Sequence, residues 1–219
     1  MLTAVIFDMD GVLIDSEPFW QRAQMAVFSE LGYPHTVEDC ESTIGVRIDQ
    51  LVAHWYRLRP WSGPSQEEVV QRILDRVNAL ILSEGQAKAG VLEALDLIEA
   101  QGLKIGLATS SPFAMVEAVL GKLGIRDRFL AVHSAEVERF GKPHPDVYIH
   151  AAEKLGVEPV HCLAIEDSFT GLLAAKAASM KALIVPDPAL VGDPRLAIAD
   201  HQLFSLRELD APMLASWVK

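Results

Sequence analysis

Short apolar runs alternate with helical patterns along most of this chain of 219 residues, and this alternation restricts the fold more than any other feature. The runs cover residues 4–7, 105–108, 129–132, 163–165 and 182–185. Between them, apolar residues recur at helical spacing. Continuous apolar strands are buried on both faces, and parallel strands need helical crossovers. The sequence therefore predicts an α/β fold, with a doubly wound, Rossmann-like parallel sheet covered by helices.

One stretch, from residue 17 to residue 87, interrupts this alternation because it contains helical patterns and no good strand. The spacing predicts a helix over 48–58 and a second one after the capping signal Ser65-x-x-Glu68. A helical block inserted directly after the first strand is typical of a cap over the end of a sheet. We therefore predict a core of residues 1–16 and 88–219, and a helical cap of residues 17–87.

Composition and charge exclude several classes of protein. Half of the residues are hydrophobic and 22% are charged, as in a globular chain. No apolar run approaches the roughly 20 residues that span a bilayer, so we expect no membrane contact. The net charge of −11 disfavours nucleic acid as a partner. The apolar start has no basic region before it and the two cysteines form no disulfide framework, so we expect a cytoplasmic protein.

Two acids, Asp8 and Asp10, directly follow the first apolar run, and Gly11 follows them. Charges next to a buried strand are costly unless they are paired or bind a metal. The carboxyl ends of parallel strands face the ligand crevice, where active-site residues lie. Taken alone, the motif fits an ordinary turn equally well.

Polar residues also follow three later strands. Thr109 and Ser110 could cradle a phosphate at a helix N-terminus or simply cap that helix. Lys142 could bridge an acid and a phosphate oxygen, or be a loop lysine. Glu166 and Asp167 form a second acidic pair at a strand end. Each loop alone is a weak signal, but four such loops at successive strand ends together predict one site.

These motifs resemble the haloacid dehalogenase-like superfamily of hydrolases, over nearly the whole chain. The matching segments are residues 7–17, Thr109, Lys142-Pro143 and Glu166-Asp167-Ser168. Within that superfamily, residues 15–20 look like those of the bacterial hexitol and 2-deoxyglucose-6-phosphate phosphatases. The resemblance implies a phosphatase of small sugar phosphates that uses Mg²⁺. We expect a phosphorylated sugar as its small-molecule partner, and a monomer.

The resemblance also implies a role for each matching residue. Asp8 is the expected nucleophile, and Asp10 the expected acid and base. Thr109 and Ser110 are expected to hold the phosphoryl oxygens, and Lys142 to neutralise their charge. The expected magnesium ligands are Asp8, the carbonyl of Asp10 and Asp167, with Glu166 as a further or outer ligand.

Residues of the predicted cap leave more alternatives open. Arg47 lies where relatives place a cap residue that reaches the active site, so it could bind a hydroxyl or a distal phosphate, or be a surface arginine. Trp20 could line the pocket or pack under the cap. His133, His144 and His150 show no clear metal-ligand spacing and stay unassigned.

Two rival functions remain. A β-phosphoglucomutase-like isomerase would use the same chemistry, but Trp20 stands where mutase-like relatives carry a histidine. A non-catalytic phosphosugar-binding protein would be expected to lose Asp8 or Asp10, and both are present.

Overall fold

A parallel β-sheet forms the centre of the computed structural model, which describes residues 1–218 and the side chains of residues 1–217. The described strands are β1 (Ala4–Phe7), β2 (Lys104–Thr109), β3 (Ala131–Ser134), β4 (Cys162–Glu166), β5 (Lys181–Ile184) and β6 (His201–Gln202). Their order is β3-β2-β1-β4-β5-β6, and every pair is parallel. The predicted doubly wound sheet is confirmed. Strand β6 was not predicted, because its two residues are polar and exposed and form no apolar run.

The helices lie mostly where apolar spacing predicts them. They are α1 (Glu17–Glu30), α2 (Val37–Glu41), α3 (Ile48–Leu58), α4 (Gln66–Glu84), α5 (Val91–Ala100), α6 (Phe113–Leu123), α7 (Asp146–Leu155), α8 (Phe169–Ala177) and α9 (Ala211–Val218). The predicted capping box starts α4: the Ser65 hydroxyl accepts from the Glu68 amide, and the Glu68 carboxylate accepts from the Ser65 amide. Among residues 1–218, none of these helices has the length and apolarity needed to cross a bilayer.

Strand β1 is completely buried because it is the middle of the sheet and helices cover both of its faces. Alternate residues of a strand point to opposite faces. Val5 and Phe7 accordingly join an apolar cluster that extends into the inserted helices α1, α3 and α4. Ala4 and Ile6 join a second cluster, rich in alanine, with α7 and α8. A strand buried in this way fixes the position of the residue that follows it, Asp8.

The inserted helices pack against one another and contact the sheet half of the molecule at a few points. Buried Trp55 and Trp61 lie among the aromatic side chains of this segment. The backbone at Gly45 approaches the first turn of α8 closely: a Cβ at this position would lie 2.5 Å from Thr170 Oγ1. Gly45 also has a φ of +76°, which disfavours any other residue. The boundaries of the cap at residues 17 and 87 stay a prediction.

Candidate active site

A cavity lies between the carboxyl edge of the sheet and the inserted helices. Residues from the strand ends line one side: Asp8, Asp10, Thr109, Ser110, Lys142 and Asp167. Residues from the inserted segment line the other side: Glu17, Trp20, Gln24, Gly45, Val46 and Leu51. Six of the eight site residues predicted from the sequence therefore share one cavity wall.

Lys142 links two strand ends at the base of this cavity. Its Nζ lies 2.8 Å from Asp8 Oδ1 and 2.7 Å from Glu166 Oε1, and it also donates to the carbonyl of Ala108 at 3.2 Å. The three N–H groups of the ammonium are thus all used. The side chain is 2% exposed, so the ammonium presents a fixed positive charge beside Asp8.

Glu166 is fully buried and lies behind the cavity wall. Besides Lys142, its Oε1 accepts from the Tyr148 hydroxyl at 2.6 Å. Its Oε2 accepts from the Ser168 hydroxyl at 3.2 Å and from the Asp167 amide at 3.2 Å. Both oxygens are therefore engaged, which suits a carboxylate that positions Lys142 and fits the outer of the two metal-binding roles left open by the sequence. Sequence reasoning missed Tyr148, because a tyrosine in a helical apolar stripe looks like any core residue.

Three carboxylates lie close together here, and Lys142 forms ion pairs with two of them, Asp8 and Glu166. Oxygens of Asp8, Glu166 and Asp167 lie within 4.8 Å of one another. Burial raises the pKa of Asp8 to about 7 although Lys142 opposes this effect, and burial with the nearby Asp8 raises the pKa of Asp167 well above its usual value. Burial acts to lower the pKa of Lys142, but Asp8 and Glu166 outweigh it and the net pKa is raised.

The cluster is thus short of positive charge, and its donors are carboxylate oxygens. Hard divalent cations prefer such oxygen donors. An ion bound by Asp8 and Asp167 would favour the ionised form of both acids. The residues present therefore fit a divalent metal ion.

Gly11 is required at this point of the chain. Its φ is +72°, and a Cβ at residue 11 would lie 1.7 Å from Asp167 Oδ2. Gly11 therefore leaves the space that is occupied by the carboxylate of Asp167, the residue directly after β4.

The carboxylate of Asp10 accepts hydrogen bonds from residues around the start of the inserted segment and from the loop after β2. Its Oδ1 accepts from the Ser16 hydroxyl at 2.6 Å and from the Trp20 indole Nε1 at 3.0 Å. Its Oδ2 accepts from the Ser111 hydroxyl at 2.6 Å. Of the two positions that the sequence left open for Trp20, the structure shows the one in the pocket. Sequence reasoning gave no role to Ser16 or Ser111, although Ser16 lies within residues 7–17 and Ser111 directly follows Ser110.

The end of β2 and the loop after it carry the two hydroxyl residues that the sequence predicts as a phosphate cradle. Thr109 Oγ1 accepts from the Ser111 amide at 3.0 Å, and the Ser110 hydroxyl donates to the Gly45 carbonyl at 3.4 Å. Both residues line the cavity just before α6 begins at Phe113. Hydroxyls and amides before a helix are suited to bind an anion.

The sequence leaves open whether Arg47 reaches the substrate or is a surface arginine, and in the structure its partners lie outside the cavity. Its guanidinium pairs with Asp49 at 2.6 Å and donates to the carbonyls of Ala135 and Glu138 at 2.8 Å each. These partners place it at the junction of α3 with the loop after β3, where most of its donors are already used. In this structure it therefore holds the inserted segment against the sheet half of the molecule.

One face of α1 completes the cavity with Glu17, Trp20 and Gln24, which follow one another at helical spacing. Burial, followed by the charges of Asp187 and Asp10, raises the pKa of Glu17 to about 8. Gln24 Oε1 is buried and has no hydrogen-bond partner among the described residues. This face therefore presents a protonatable acid and a free acceptor to a ligand.

Comparison with known proteins shows the same family that the sequence motifs resemble. The model of the haloacid dehalogenase-like hydrolases matches residues 2–179. Hexitol phosphatase B of Escherichia coli (strain K12) is 47% identical over 211 residues, which cover 96% of this chain and 95% of that protein.

Two solved structures are also similar. CbbY from Rhodobacter sphaeroides, in complex with phosphate, has a TM-score of 0.86 and 26% identity, and the match covers 95% of this chain and 96% of that one. A β-phosphoglucomutase from Clostridium difficile has a TM-score of 0.84 and 25% identity, with 99% and 97% covered. The chain therefore belongs to the haloacid dehalogenase-like hydrolase family and, within it, to the sugar-phosphatase branch, which makes it a phosphoric monoester hydrolase.

Proposed function

We propose that the protein is a magnesium-dependent phosphatase of small sugar phosphates, such as hexose or hexitol phosphates and 2-deoxyglucose 6-phosphate. One observation carries the proposal: Asp8 faces the cavity with its carboxylate 2.8 Å from a buried ammonium. The name of its relative, hexitol phosphatase B, supports phosphorylated hexitols as candidate substrates.

The proposed reaction has two displacements at phosphorus. An oxygen of Asp8 attacks the phosphorus while the bond to the sugar oxygen breaks, and Asp10 gives its proton to that leaving oxygen. Water then attacks the phosphorus of the aspartyl-phosphate and gives its proton to Asp10. Inorganic phosphate leaves, and both acids return to their starting states.

Other residues keep the phosphoryl group in place during both steps. Thr109 and Ser110 donate to its oxygens, and Lys142 offsets its negative charge. Asp8, Asp167 and the carbonyl of Asp10 would hold Mg²⁺, while Glu166 keeps Lys142 in position. A bound magnesium ion supplies charge that offsets the repulsion between carboxylate and phosphate.

In this proposal residues 17–87 act as the cap that selects the sugar. The α1 face offers the free acceptor of Gln24 and the carboxyl of Glu17 to sugar hydroxyls, since a buried acceptor without a partner gains most from a donor. Trp20 offers apolar surface on the same face.

A substrate panel tests the proposal. Phosphorylated hexoses, pentoses, hexitols and nucleotides would be assayed for phosphate release with Mg²⁺ and with a chelator. Asp8→Asn is expected to abolish release and Asp10→Asn to reduce it at least about 100-fold. Asp15→Asn is the matched control, because Asp15 belongs to the same motif but is exposed. Full turnover by Asp8→Asn would rule the nucleophile out.

The isomerase alternative has one observation in its favour, the structural likeness to a β-phosphoglucomutase. Both enzymes would pass through the same aspartyl-phosphate and differ in its acceptor. β-Glucose 1-phosphate separates them: a phosphatase releases phosphate and glucose, whereas a mutase yields glucose 6-phosphate. A non-catalytic phosphosugar-binding protein would bind the sugar phosphate and release nothing.

A further inference from the structure

A second group of metal-binding side chains lies outside the active-site cavity. His133 is in β3, Glu138 follows in the next loop, and His150 is on α7. His133 Nε2 lies 2.5 Å from Glu138 Oε1, and His150 Nδ1 lies 2.6 Å from the same oxygen. The two rings meet edge to face, with centroids 5.5 Å apart. Three separate elements thus direct two imidazole nitrogens and a carboxylate oxygen at one point.

The two histidines are the ion-pair partners of Glu138 among the described side chains. The side chain of Glu138 is 7% exposed. Hydrogen bonds from both rings outweigh burial and lower the pKa of Glu138. The two rings therefore stabilise the ionised carboxylate, which is the form that a metal ion binds.

The other two groups are suited to bind such an ion. Burial lowers the pKa of His133, which favours the neutral ring that a metal ligand requires. His150 Nδ1 points at the same carboxylate oxygen as His133 Nε2, so both nitrogens are aimed where an ion would bind. The side chain of His150 is 42% exposed, which leaves a path and an open coordination position on the solvent side.

We propose that His133, Glu138 and His150 form a binding site for a divalent transition-metal ion of the zinc class. Two imidazoles and a carboxylate are the donor types that zinc takes, with solvent at a fourth position. The all-oxygen cluster of Asp8, Glu166 and Asp167 instead suits a hard ion. The protein thus carries two sites of opposite preference, and this inference does not depend on the proposed substrate.

The position of this site gives the ion an effect on the active site. The backbone carbonyl of Glu138 accepts from Arg47 at 2.8 Å, and Lys142 follows four residues later. An ion on the Glu138 side chain would fix the loop that receives Arg47 and carries Lys142. The site therefore stabilises the contact between the inserted segment and the strand ends.

Cobalt absorption tests the site without relying on activity. The purified protein in saturating Mg²⁺ would be titrated with Co²⁺, whose low-coordinate complexes with nitrogen ligands absorb strongly between about 500 and 650 nm, unlike octahedral oxygen complexes. We expect one saturable equivalent of this band, displaced by Zn²⁺. His150→Ala and Glu138→Gln should weaken Co²⁺ binding at least 100-fold, whereas Asp167→Asn should leave it unchanged.

His161→Ala is the matched control, because His161 is exposed and its side chain has no part in the cluster. Circular dichroism would confirm that each variant is folded, and His150→Ala is the safest of them because that side chain is partly exposed. A missing band, or a band that survives in folded His150→Ala, would overturn the proposal.

Discussion

Removing the hydroxyl of Tyr148 tests whether Glu166 is a structural anchor for Lys142. Tyr148→Phe keeps the ring, which is completely buried, and removes only the hydrogen bond of 2.6 Å to Glu166 Oε1. Hydrogen bonds to charged groups contribute about 1.5–3 kcal/mol. Glu166 Oε1 still accepts from Lys142 in this variant. We therefore expect the free energy of unfolding to fall by an amount near the lower end of this range, about 2 kcal/mol. This corresponds to a roughly 30-fold change in the unfolding equilibrium.

Urea denaturation, followed by circular dichroism, would measure the free energy of unfolding. Tyr33→Phe is the matched control, since the Tyr33 hydroxyl donates to the uncharged carbonyl of Pro60 at an exposed position, and its loss should cost below about 0.5 kcal/mol. If the two variants lose equal stability, the argument that Glu166 is a charged, fully engaged anchor is wrong.

Three further substitutions test other contacts. Gly11→Ala should weaken Mg²⁺ binding, measured by calorimetry, at least about 100-fold, because its methyl group displaces Asp167; unchanged affinity would remove Asp167 from the metal site. Gly45→Ala should raise KM severalfold by holding the inserted segment off Thr170, and an unaltered KM would contradict this. The raised pKa of Glu17 means that the folded state keeps a proton which the unfolded state releases, so stability falls as pH rises from about 5 to 8. Glu17→Gln should flatten this pH dependence in thermal melts, whereas Glu153→Gln at an exposed position should not.

Sequence reasoning succeeded where one element alone sets the position of a residue. Asp8 and Asp10 follow a short apolar run that fits only a buried strand, and the parallel sheet then brings the ends of β2 and β4 beside them. The capping box at Ser65 likewise fixed the start of α4. In these cases local pattern and tertiary structure agree, which is the condition for a reliable prediction.

Sequence reasoning gave less where the hydrogen-bond partner of a side chain comes from a distant part of the chain. The sequence leaves open whether Arg47 binds the substrate or lies at the surface, and it does not indicate the carbonyls of residues 135 and 138 that engage it. Tyr148 and Ser111 are ordinary residues of a helix and a loop until the fold brings them to Glu166 and Asp10. Backbone carbonyls and hydroxyls form these contacts without a characteristic spacing.

Trapping of the phosphorylated enzyme tests the central claim most directly. The protein with Mg²⁺ would be mixed with a sugar phosphate labelled with ³²P, quenched in acid within one turnover, and digested for peptide mapping. We predict acid-stable, hydroxylamine-labile label on the peptide that contains Asp8, and none in Asp8→Asn. Rapid phosphate release without label on that peptide would contradict a covalent intermediate on Asp8.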